Sequence, residues 1–443
     1  MTDAERPDTY VPIFRPTPVF LFRPARTYKS SDGSVLRQAS SWIAWAGTSR
    51  WVLLRRTLGW LYRFPFTVIE QMRSHARSTR TALGRSLAGQ LCDIVRVAAR
   101  ANVQPCDYYR YGLARYHGGT ELNDYVSYQF FLAPAYAVTG QRVAAANSRQ
   151  DFWSKQDFER HCRSHGFPCA QTIAVVTPDG VSDIYGKPVP ASLPPGDLFT
   201  KPNRGAQGYG SAVFRWLGPD SYDDGKGGTL TAAALFELIR KSAAGAGWHA
   251  GNPSRFGIPC DQPESMVVQL ALKNSASMAS MVGNAFATLR IITLRDEHDD
   301  PEIVFCALRT GGTPDAIVDN FHGNGVAFPV DIETGRLRQG RIMNFFADPR
   351  FFTVHPVTGT QIDGWRLPQW DEAAQLALDL QKSYPELLLA GWDIGITPTG
   401  PCAVEVNAPP GTQIVQMERG FLGTRFSRLL EHHIAKWLDD QTG

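Results

Sequence analysis

Two short apolar segments near the carboxyl end carry acidic and amide side chains inside what would otherwise be plain buried strands. Asp393 lies within Leu387–Ile396, while Glu405 lies within Cys402–Val406 and is followed by Asn407. The Thr-Pro-Thr-Gly sequence between the segments predicts a turn, so we expect the two strands to pair as a hairpin. Because residues two apart in a strand point the same way, pairing would place the three polar side chains on one face.

Three oxygen donors on adjacent strands form a site for a hard cation. Magnesium is usually held by one or two carboxylates together with phosphate oxygens, so the pattern predicts a magnesium site completed by a polyphosphate. The alternative is that Asp393 and Glu405 only cap strand ends. Buried carboxylates are costly without a partner, which favours the metal interpretation.

Charge divides the chain into two unlike parts. The 443 residues are enough for two or three domains and carry a net charge of +3. Residues 1–100 contain 16 Lys and Arg against 6 acids, so they hold +10 and the remainder holds −7. The seven scattered cysteines include no Cys-x-x-Cys pair, which argues against a disulfide framework and a structural zinc site.

The sequence before residue 146 predicts an arm and a basic helical region. Residues 1–35 are rich in Pro, Arg and Ser, and we expect them to be disordered. Between Trp42 and Phe64, tryptophans alternate with arginines. This mixture suits a helix lying on an anionic membrane, but an amphipathic helix packed on the protein core is the simpler interpretation, because amphipathic helices usually face a core. No signal peptide or long apolar run is visible, so we expect a cytoplasmic protein, with the inner membrane face as an alternative location.

A glycine-rich segment between two predicted strands, Thr200–Gly210, combines Lys201 with Gly205, Gly208 and Gly210. Such a loop brings backbone N–H groups against phosphates, and the lysine adds a point charge. The segment matches neither a Walker loop nor a Rossmann loop, because a strand and not a helix follows it. Taken alone, a plain β-turn is the simpler interpretation.

Further motifs occur in a fixed order and carry a family resemblance. Lys155 is followed by Gly166-Phe167-Pro168, and Val267–Leu272 is a hydrophobic strand containing Gln269. Then come Arg290, Arg309, the segment Asp319–Gly325, in which Asn324 splits a glycine pair, and the two acidic strands. Over roughly residues 100–440 the chain resembles the ATP-grasp superfamily, in its sugar-transfer associated branch, related to α-L-glutamate ligases and glutathione synthetases.

The resemblance implies an α+β fold of two subdomains that clamp ATP, behind a mostly helical basic N-terminal region. The implied limits are a disordered arm (1–35), a helical region (36–145) and an ATP-grasp domain (146–443). The last divides into a nucleotide-clamp subdomain (146–265) and a metal and substrate subdomain (266–443). Strands and helices mixed without strict alternation also favour α+β over a doubly wound sheet.

The resemblance also assigns roles to single residues. Arg290 and Arg309 are expected at the γ-phosphate and the acyl group, with one or two magnesium ions on the acidic strands. The residues implied for ATP are Lys155, Lys201, Gly205, Gly208, Gly210, Gln269, Leu270 and Leu272. Those implied for magnesium are Asp393, Glu405 and Asn407, and those for the substrate are Asn320, Gly411, Thr412 and Gln413.

The implied activity is ATP-dependent joining of a carboxylate to an amine through an acyl phosphate, on an amino acid or a sugar-linked carboxylate. Two alternatives remain open: a small-molecule kinase of the same fold, and a catalytically decayed protein that binds membrane surfaces. Besides the small-molecule substrates, the sequence predicts contact with a membrane surface through residues 42–64. Binding to nucleic acid is not expected.

Overall fold

The computed structural model describes residues 35, 36, 39 and 50–442, apart from 102, 147–151, 153, 191–192, 205–209, 224–227, 245–264, 314–324, 343–348, 409 and 412. The predicted arm therefore lies almost wholly outside the described residues. So do Gly205, Gly208, Asn320 and Thr412, for which the predicted roles stay predictions.

Four helices form the N-terminal region, as the sequence predicts. They are α1 (Arg50–Leu83), α2 (Leu87–Ala101), α3 (Pro105–Arg110) and α4 (Tyr128–Ala145). Gly84 has a φ of +74°, a backbone conformation that favours glycine, and it separates α1 from α2. Buried tyrosines 108, 109, 111 and 125 fill the core beneath these helices.

A five-stranded sheet follows in the order β2-β1-β8-β3-β4. Its neighbours in the chain are helices α5 (Lys155–His165) and α6 (Ala232–Ala244), and a small sheet of three strands. The strands are β1 (Thr172–Val176), β2 (Val181–Ser182), β3 (Leu198–Pro202), β4 (Ala212–Phe214), β5 (Trp216–Gly218), β6 (Ser221–Asp223), β7 (Thr229–Leu230) and β8 (Met266–Leu270).

Two features of the first sheet depend on long-range pairing. The chain breaks after Phe214, so β4 and β5 lie in different sheets. Strand β8 lies between β1 and β3, with five residue pairs to β3. Strand β8, which begins at Met266, therefore belongs to the five-stranded sheet.

The second large sheet has seven strands, in the order β12-β11-β10-β9-β14-β15, with β13 also paired to β11. Helix α7 (Ala276–Val282) precedes it, and helices α8 (Trp370–Ser383) and α9 (Arg425–Thr442) complete the described elements. The strands are β9 (Thr288–Arg295), β10 (Pro301–Thr310), β11 (Val326–Asp331), β12 (Arg336–Leu337), β13 (Arg341–Ile342), β14 (Leu389–Thr397) and β15 (Gly400–Asn407). The pairs between these strands are antiparallel, and the α+β prediction is confirmed.

Helices cover both faces of this sheet. Leu289 and Ile291 of β9 pack with α8 on one face, while Ile292 and Leu294 pack with α4 and α9 on the other. All eight residues of β9 and all nine of β14 are buried as a result. A polar side chain on these strands must therefore find a partner, because the surroundings exclude water.

The N-terminal region is fastened to the segment that follows β15. The Gln416 side chain, only 1% exposed, accepts a hydrogen bond from Val126 N (2.9 Å) and donates one to Val126 O (2.8 Å). Arg115 donates to the backbone oxygens of Met417 and Glu418. Among the described helices, none is both long and apolar enough to cross a membrane.

Candidate functional site

The acidic hairpin forms as the sequence predicts. Strand β14 pairs with β15 so that Asp393 lies opposite Glu405 and Gly391 lies opposite Asn407. Side chains opposite each other in an antiparallel pair project from the same face. The register shifts just beyond Asp393, where β15 carries one extra residue, and such bulges re-aim side chains. The three predicted magnesium ligands therefore share one face of the seven-stranded sheet.

Strand β9 places Arg290 beside Asp393 on the same face, since these two residues are cross-strand partners. Arg290 Nε lies 2.5 Å from Asp393 Oδ1, and Nη2 lies 3.0 Å from Oδ2, which makes a two-pronged ion pair. Arg309 of β10 adds a third contact, with its Nη2 2.9 Å from Asp393 Oδ2. Thr288 accepts from the same guanidinium at 2.7 Å and fixes its orientation.

Burial and the two arginines act on Asp393 in opposite directions. Burial raises the pKa of this carboxyl, but Arg290 and Arg309 outweigh that effect and lower the pKa to about 2. The side chain is only 4% exposed, against 10% for Arg290 and 15% for Arg309. Asp393 is thus a buried, ionised carboxylate whose charge two guanidinium groups already neutralise.

Lys155 reaches the acidic strands from the first half of the domain. It is the first residue of α5, where Ser154 caps the helix by accepting from Asp157 N. Asn203, just after β3, holds this helix start: its backbone oxygen accepts from Lys155 N at 3.1 Å, and its Oδ1 accepts from Gln156 N at 3.0 Å. Lys155 Nζ then lies 4.0 Å from Glu405 Oε2.

Lys201 lies on β3, and its side chain is buried against the same acidic hairpin. Burial is the main cause that lowers its pKa, to about 8; Glu405 opposes this effect and Lys155 adds to it. The pKa of Lys155 is also lowered, again chiefly by burial. Within the described residues no carboxylate forms a salt bridge with Lys201, whose Nζ lies 5.6 Å from the centre of the Phe199 ring. The two lysines are therefore cations that their surroundings stabilise poorly.

Three of the predicted nucleotide residues, Lys201, Gln269 and Leu270, lie on the five-stranded sheet. Strands β3 and β4 pair on either side of the glycine loop, and Gly210 has a φ of +71°, where a side chain would be strained. Gln269 is 5% exposed, and its Nε2 donates to Thr172 Oγ1. Leu270 is 46% exposed, while Leu272 is half-buried beyond the strand end. The backbone N–H of Ala271, between these two leucines, donates a hydrogen bond to Asp197 O at 2.8 Å. It is therefore not available to donate to the adenine ring of ATP.

The predicted substrate loop follows β15 directly. Gly411 and Gln413 are half-buried, and Pro410 before them is buried. A side chain at Gly391 would place its Cβ 2.6 Å from Pro410 Cβ and 3.3 Å from Arg290 Cδ. The glycine in β14 therefore lets the loop approach Arg290, which is the kind of close backbone contact that glycine permits in a strand.

The oxygen donors on the acidic hairpin fit magnesium, but its two carboxylates differ in how available they are to a metal ion. The carboxylates of Asp393 and Glu405 and the amide of Asn407 are oxygen donors of the type that magnesium prefers. Asp393, however, already forms ion pairs with Arg290 and Arg309, whereas the Glu405 side chain is 30% exposed. Asn407 Nδ2 is buried without a hydrogen-bond partner among the described residues, an orphan that a phosphate oxygen would satisfy. Within that part of the chain, no group of three or more His, Cys, Asp or Glu is placed to hold a metal.

Sequence reasoning missed three supporting residues. Asn203 connects β3 to the start of α5, Thr288 orients Arg309, and Gly391 admits Pro410. Only Gly391 gave a signal, as a glycine inside a buried strand, which often marks a close approach of two backbones. The other two contacts join residues 47 and 21 positions apart, and no local pattern predicts them.

Comparison with known structures gives neighbours of low identity. An L-amino acid ligase from Bacillus licheniformis shares 11% identity and a TM-score of 0.35, covering 68% of this chain and 53% of its own. D-alanine–D-alanine ligase from Bacillus anthracis shares 13% identity and a TM-score of 0.32, covering 66% of this chain and 70% of its own. The D-cycloserine synthetase DcsG shares 12% identity and a TM-score of 0.34, covering 70% of this chain and 82% of its own. The chain thus spans about half the length of the first of these enzymes. Among curated proteins, no sequence matches it.

The model of one protein family matches the chain from residue 145 to residue 427, which is more than half of its length. That range contains both large sheets, the lysines and arginines, and the acidic hairpin. The resemblance inferred from the sequence motifs is therefore confirmed: the chain belongs to the sugar-transfer associated ATP-grasp family.

Proposed function

We propose that this protein is an ATP-dependent ligase that joins a carboxylate to an amine. The observation that supports it best is the convergence of four cationic side chains on one acidic hairpin. Arg290 and Arg309 approach from the seven-stranded sheet, while Lys155 and Lys201 approach from the α5 and β3 side. Such a concentration of positive charge suits a substrate that brings several negative charges, as a triphosphate does.

The proposed reaction has two steps. First, the substrate carboxylate attacks the γ-phosphorus of ATP, the bond between the γ-phosphorus and its bridging oxygen breaks, and ADP leaves as an acyl phosphate forms. Second, an amine attacks the acyl carbon and expels inorganic phosphate, which leaves an amide and releases a proton. The protein contributes mainly positioning and charge stabilisation to such a phosphoryl transfer, and no side-chain nucleophile is required.

We propose a role for each of these residues from its position and charge. Lys201 and Lys155, whose charged forms are poorly stabilised, gain most from phosphate oxygens. Arg290 and Arg309 are already oriented and would stabilise charge that develops on the transferred group. Glu405 and Asn407, with Asp393 beside them, would hold magnesium. A bound magnesium ion supplies charge neutralisation for the phosphates.

The substrate class proposed is an amino acid or a sugar-linked carboxylate used in making surface polysaccharide. It rests on the family description, sugar-transfer associated, and on the loop from Pro410, which follows the acidic strand and lies against Gly391 beside Arg290. Gly411, Thr412 and Gln413 are proposed to bind the substrate carboxylate, and Asn320 to contact the substrate. A kinase of the same fold is the second candidate, because phosphoryl transfer to a hydroxyl needs the same cations.

Nucleotide turnover with magnesium tests the proposal directly. Wild-type protein, Glu405→Gln and Lys201→Ala are compared for release of ADP and of inorganic phosphate, with and without pooled amino acids and amino sugars. The matched controls are Glu333→Gln, at an exposed turn, and Lys241→Ala, whose side chain is 74% exposed. We expect the substrates to stimulate turnover, the two site variants to lose it by roughly a hundredfold or more, and the controls to retain it.

The products separate the candidates. Equal amounts of ADP and free phosphate, with a new amide detected by mass spectrometry, support the ligase. ADP with a stable phosphorylated product and no free phosphate supports the kinase. Failure of the folded wild-type protein to bind ATP with magnesium would remove both and leave the catalytically decayed protein.

A further inference from the structure

Helix α1 exposes a stripe of side chains along its length, and Val52, Leu54 and Leu61 beside it are exposed as well. The exposed positions Trp51, Arg55, Leu58, Tyr62, Phe66, Ile69, Arg73, Arg77 and Arg80 recur every three or four residues, which is the spacing of one helix face. Trp51 is 79% exposed, Tyr62 72% and Phe66 60%. Large apolar residues so exposed and so aligned on one helix indicate an interaction surface. We call this set of nine residues the α1 stripe.

Some residues of α1 are already in contact with the rest of the protein. Val68 and Ala76 are buried in the core of the N-terminal region, and Thr57 and Thr79 are buried too. These contacts dock the helix on the protein, while all nine residues of the α1 stripe are exposed. The aromatic residues do not all pack inward, because Phe64 is half-buried against the core while Tyr62 and Phe66 lie outside.

Charge identifies the partner. The exposed charged residues of α1 are Arg55, Arg63, Arg73, Arg77 and Arg80 against the single acid Glu70, so the exposed surface of the helix is basic as well as apolar and aromatic. Parallel pairing of the stripe with the stripe of a second copy would oppose like charges, which disfavours that dimer. Exposed aromatic and aliphatic side chains beside arginines are typical of helices that lie in the interface of an anionic bilayer.

We propose that the α1 stripe binds the surface of an anionic lipid bilayer, with the helix lying along it. Trp51, Leu58, Tyr62 and Phe66 enter the boundary between headgroups and acyl chains, and the arginines of the second half of the stripe contact lipid phosphates. The helix lies on the bilayer and does not cross it, in accord with the absence of a membrane-crossing helix in the described residues. Lipid binding is separate from the proposed ligase activity and requires no nucleotide.

Vesicle co-sedimentation of the full chain, without nucleotide, tests the proposal. The probes are vesicles of phosphatidylcholine alone and of phosphatidylcholine mixed with phosphatidylglycerol. The apolar variant carries Leu58→Ser, Tyr62→Ser and Phe66→Ser, and the charge variant carries Arg73→Glu and Arg77→Glu. The matched controls replace exposed residues elsewhere: Tyr185→Ser, Leu217→Ser and Leu238→Ser for the first, and Arg366→Glu and Lys382→Glu for the second.

We expect the wild-type protein and both controls to bind the mixed vesicles, more weakly as salt increases. Each stripe variant should lower the partition coefficient at least roughly tenfold, given the free energy that each basic residue contributes near an anionic surface. Circular dichroism verifies that each variant is folded. The proposal is overturned if wild-type protein does not bind the mixed vesicles, or if the control substitutions weaken binding as much as the stripe variants do. It is also overturned if the apolar variant merely dissociates an oligomer in sedimentation velocity, since the stripe then binds a second copy.

Discussion

The two halves of the candidate site hold their positive charges in opposite ways. On the seven-stranded sheet, Arg290 and Arg309 contact Asp393 at 2.5 to 3.0 Å, so cations and carboxylate neutralise one another. On the other side, Lys155 is 4.0 Å from Glu405, and Lys201 has no carboxylate salt bridge within the described residues. Burial lowers the pKa of both lysines, whereas the arginines lower the pKa of the acid beside them.

This difference separates a structural charge cluster from charges available to a ligand. Removing one member of a closed, buried cluster leaves an uncompensated charge and therefore destabilises the fold. Removing Lys201, which forms no salt bridge with a described carboxylate, relieves an unfavourable buried charge and can leave the fold as stable as before. Stability and activity should therefore respond independently in the two halves, and four measurements test that expectation.

The largest effect on stability is expected for Asp393→Asn. The change leaves Arg290 and Arg309 buried beside a neutral amide, which should lower the free energy of unfolding by about 3 to 5 kcal/mol. Urea unfolding followed by circular dichroism measures it. Asp331→Asn is the control, because Asp331 also contacts an arginine, Arg338, but in a more exposed position, with side chains 31% and 48% exposed. Equal stability of Asp393→Asn and wild type would show that the cluster is not closed.

A pH-dependent effect is expected from Lys201. Its pKa is about 8 in the folded protein and 10.5 for an unperturbed lysine, so between these values the unfolded chain binds more protons. The contribution of Lys201 to the free energy of unfolding therefore rises as pH increases from about 8 to 10.5 and is constant outside that range. The measurement is the difference in unfolding free energy between wild type and Lys201→Met at several pH values. A difference that does not vary with pH across this range would contradict the lowered pKa.

The same titration acts on ligand binding with the opposite sign. Phosphate oxygens favour the charged lysine, so the affinity of wild-type protein for ATP should fall as pH rises through about 8. Lys201→Arg stays charged throughout and should lose that dependence, whatever its absolute affinity. Isothermal titration calorimetry at constant ionic strength distinguishes the two proteins. Parallel pH profiles would mean that another group causes the change.

The smallest effect on stability is expected for Glu405→Gln. The Glu405 side chain is 30% exposed and its nearest cation is 4.0 Å away, so the free energy of unfolding should change by less than about 1 kcal/mol. Its magnesium-dependent ATP binding should nevertheless be lost, because a carboxylate donor has been removed. Thermal unfolding and nucleotide binding are measured on the same samples. Destabilisation as large as that of Asp393→Asn would place Glu405 in the closed cluster.

The hairpin could be predicted because its information is local. Apolar segments on either side of a Thr-Pro-Thr-Gly turn predict that β14 and β15 pair, whereas the bulge that sets Asp393 opposite Glu405 has no such local signal. The family motifs then located Arg290 and Arg309, but not their contact with Asp393. That contact depends on the register of β9 and β10 against β14, strands about a hundred residues apart in sequence.

Other features escaped prediction for the same physical reason. The break between β4 and β5, and the position of β8 inside the first sheet, depend on which strands lie side by side, which the chain does not encode locally. In α1 the sequence indicates an amphipathic helix but not which side is docked. The exposure of Tyr62 and Phe66 emerged only from the packing of Val68 and Ala76.

The link between Gln416 and Val126 has a practical consequence for anyone who would shorten this protein. A fragment cut to the family limits, residues 145–427, loses Val126 and leaves the buried Gln416 amide without either hydrogen bond, at a cost of about 1 to 3 kcal/mol. The same cut ends inside α9 and removes Leu429, Leu430, Ile434 and Trp437 from the face of the sheet that they cover. The stretch recognised by family similarity is thus smaller than the unit that folds, and expression trials should begin from the full chain.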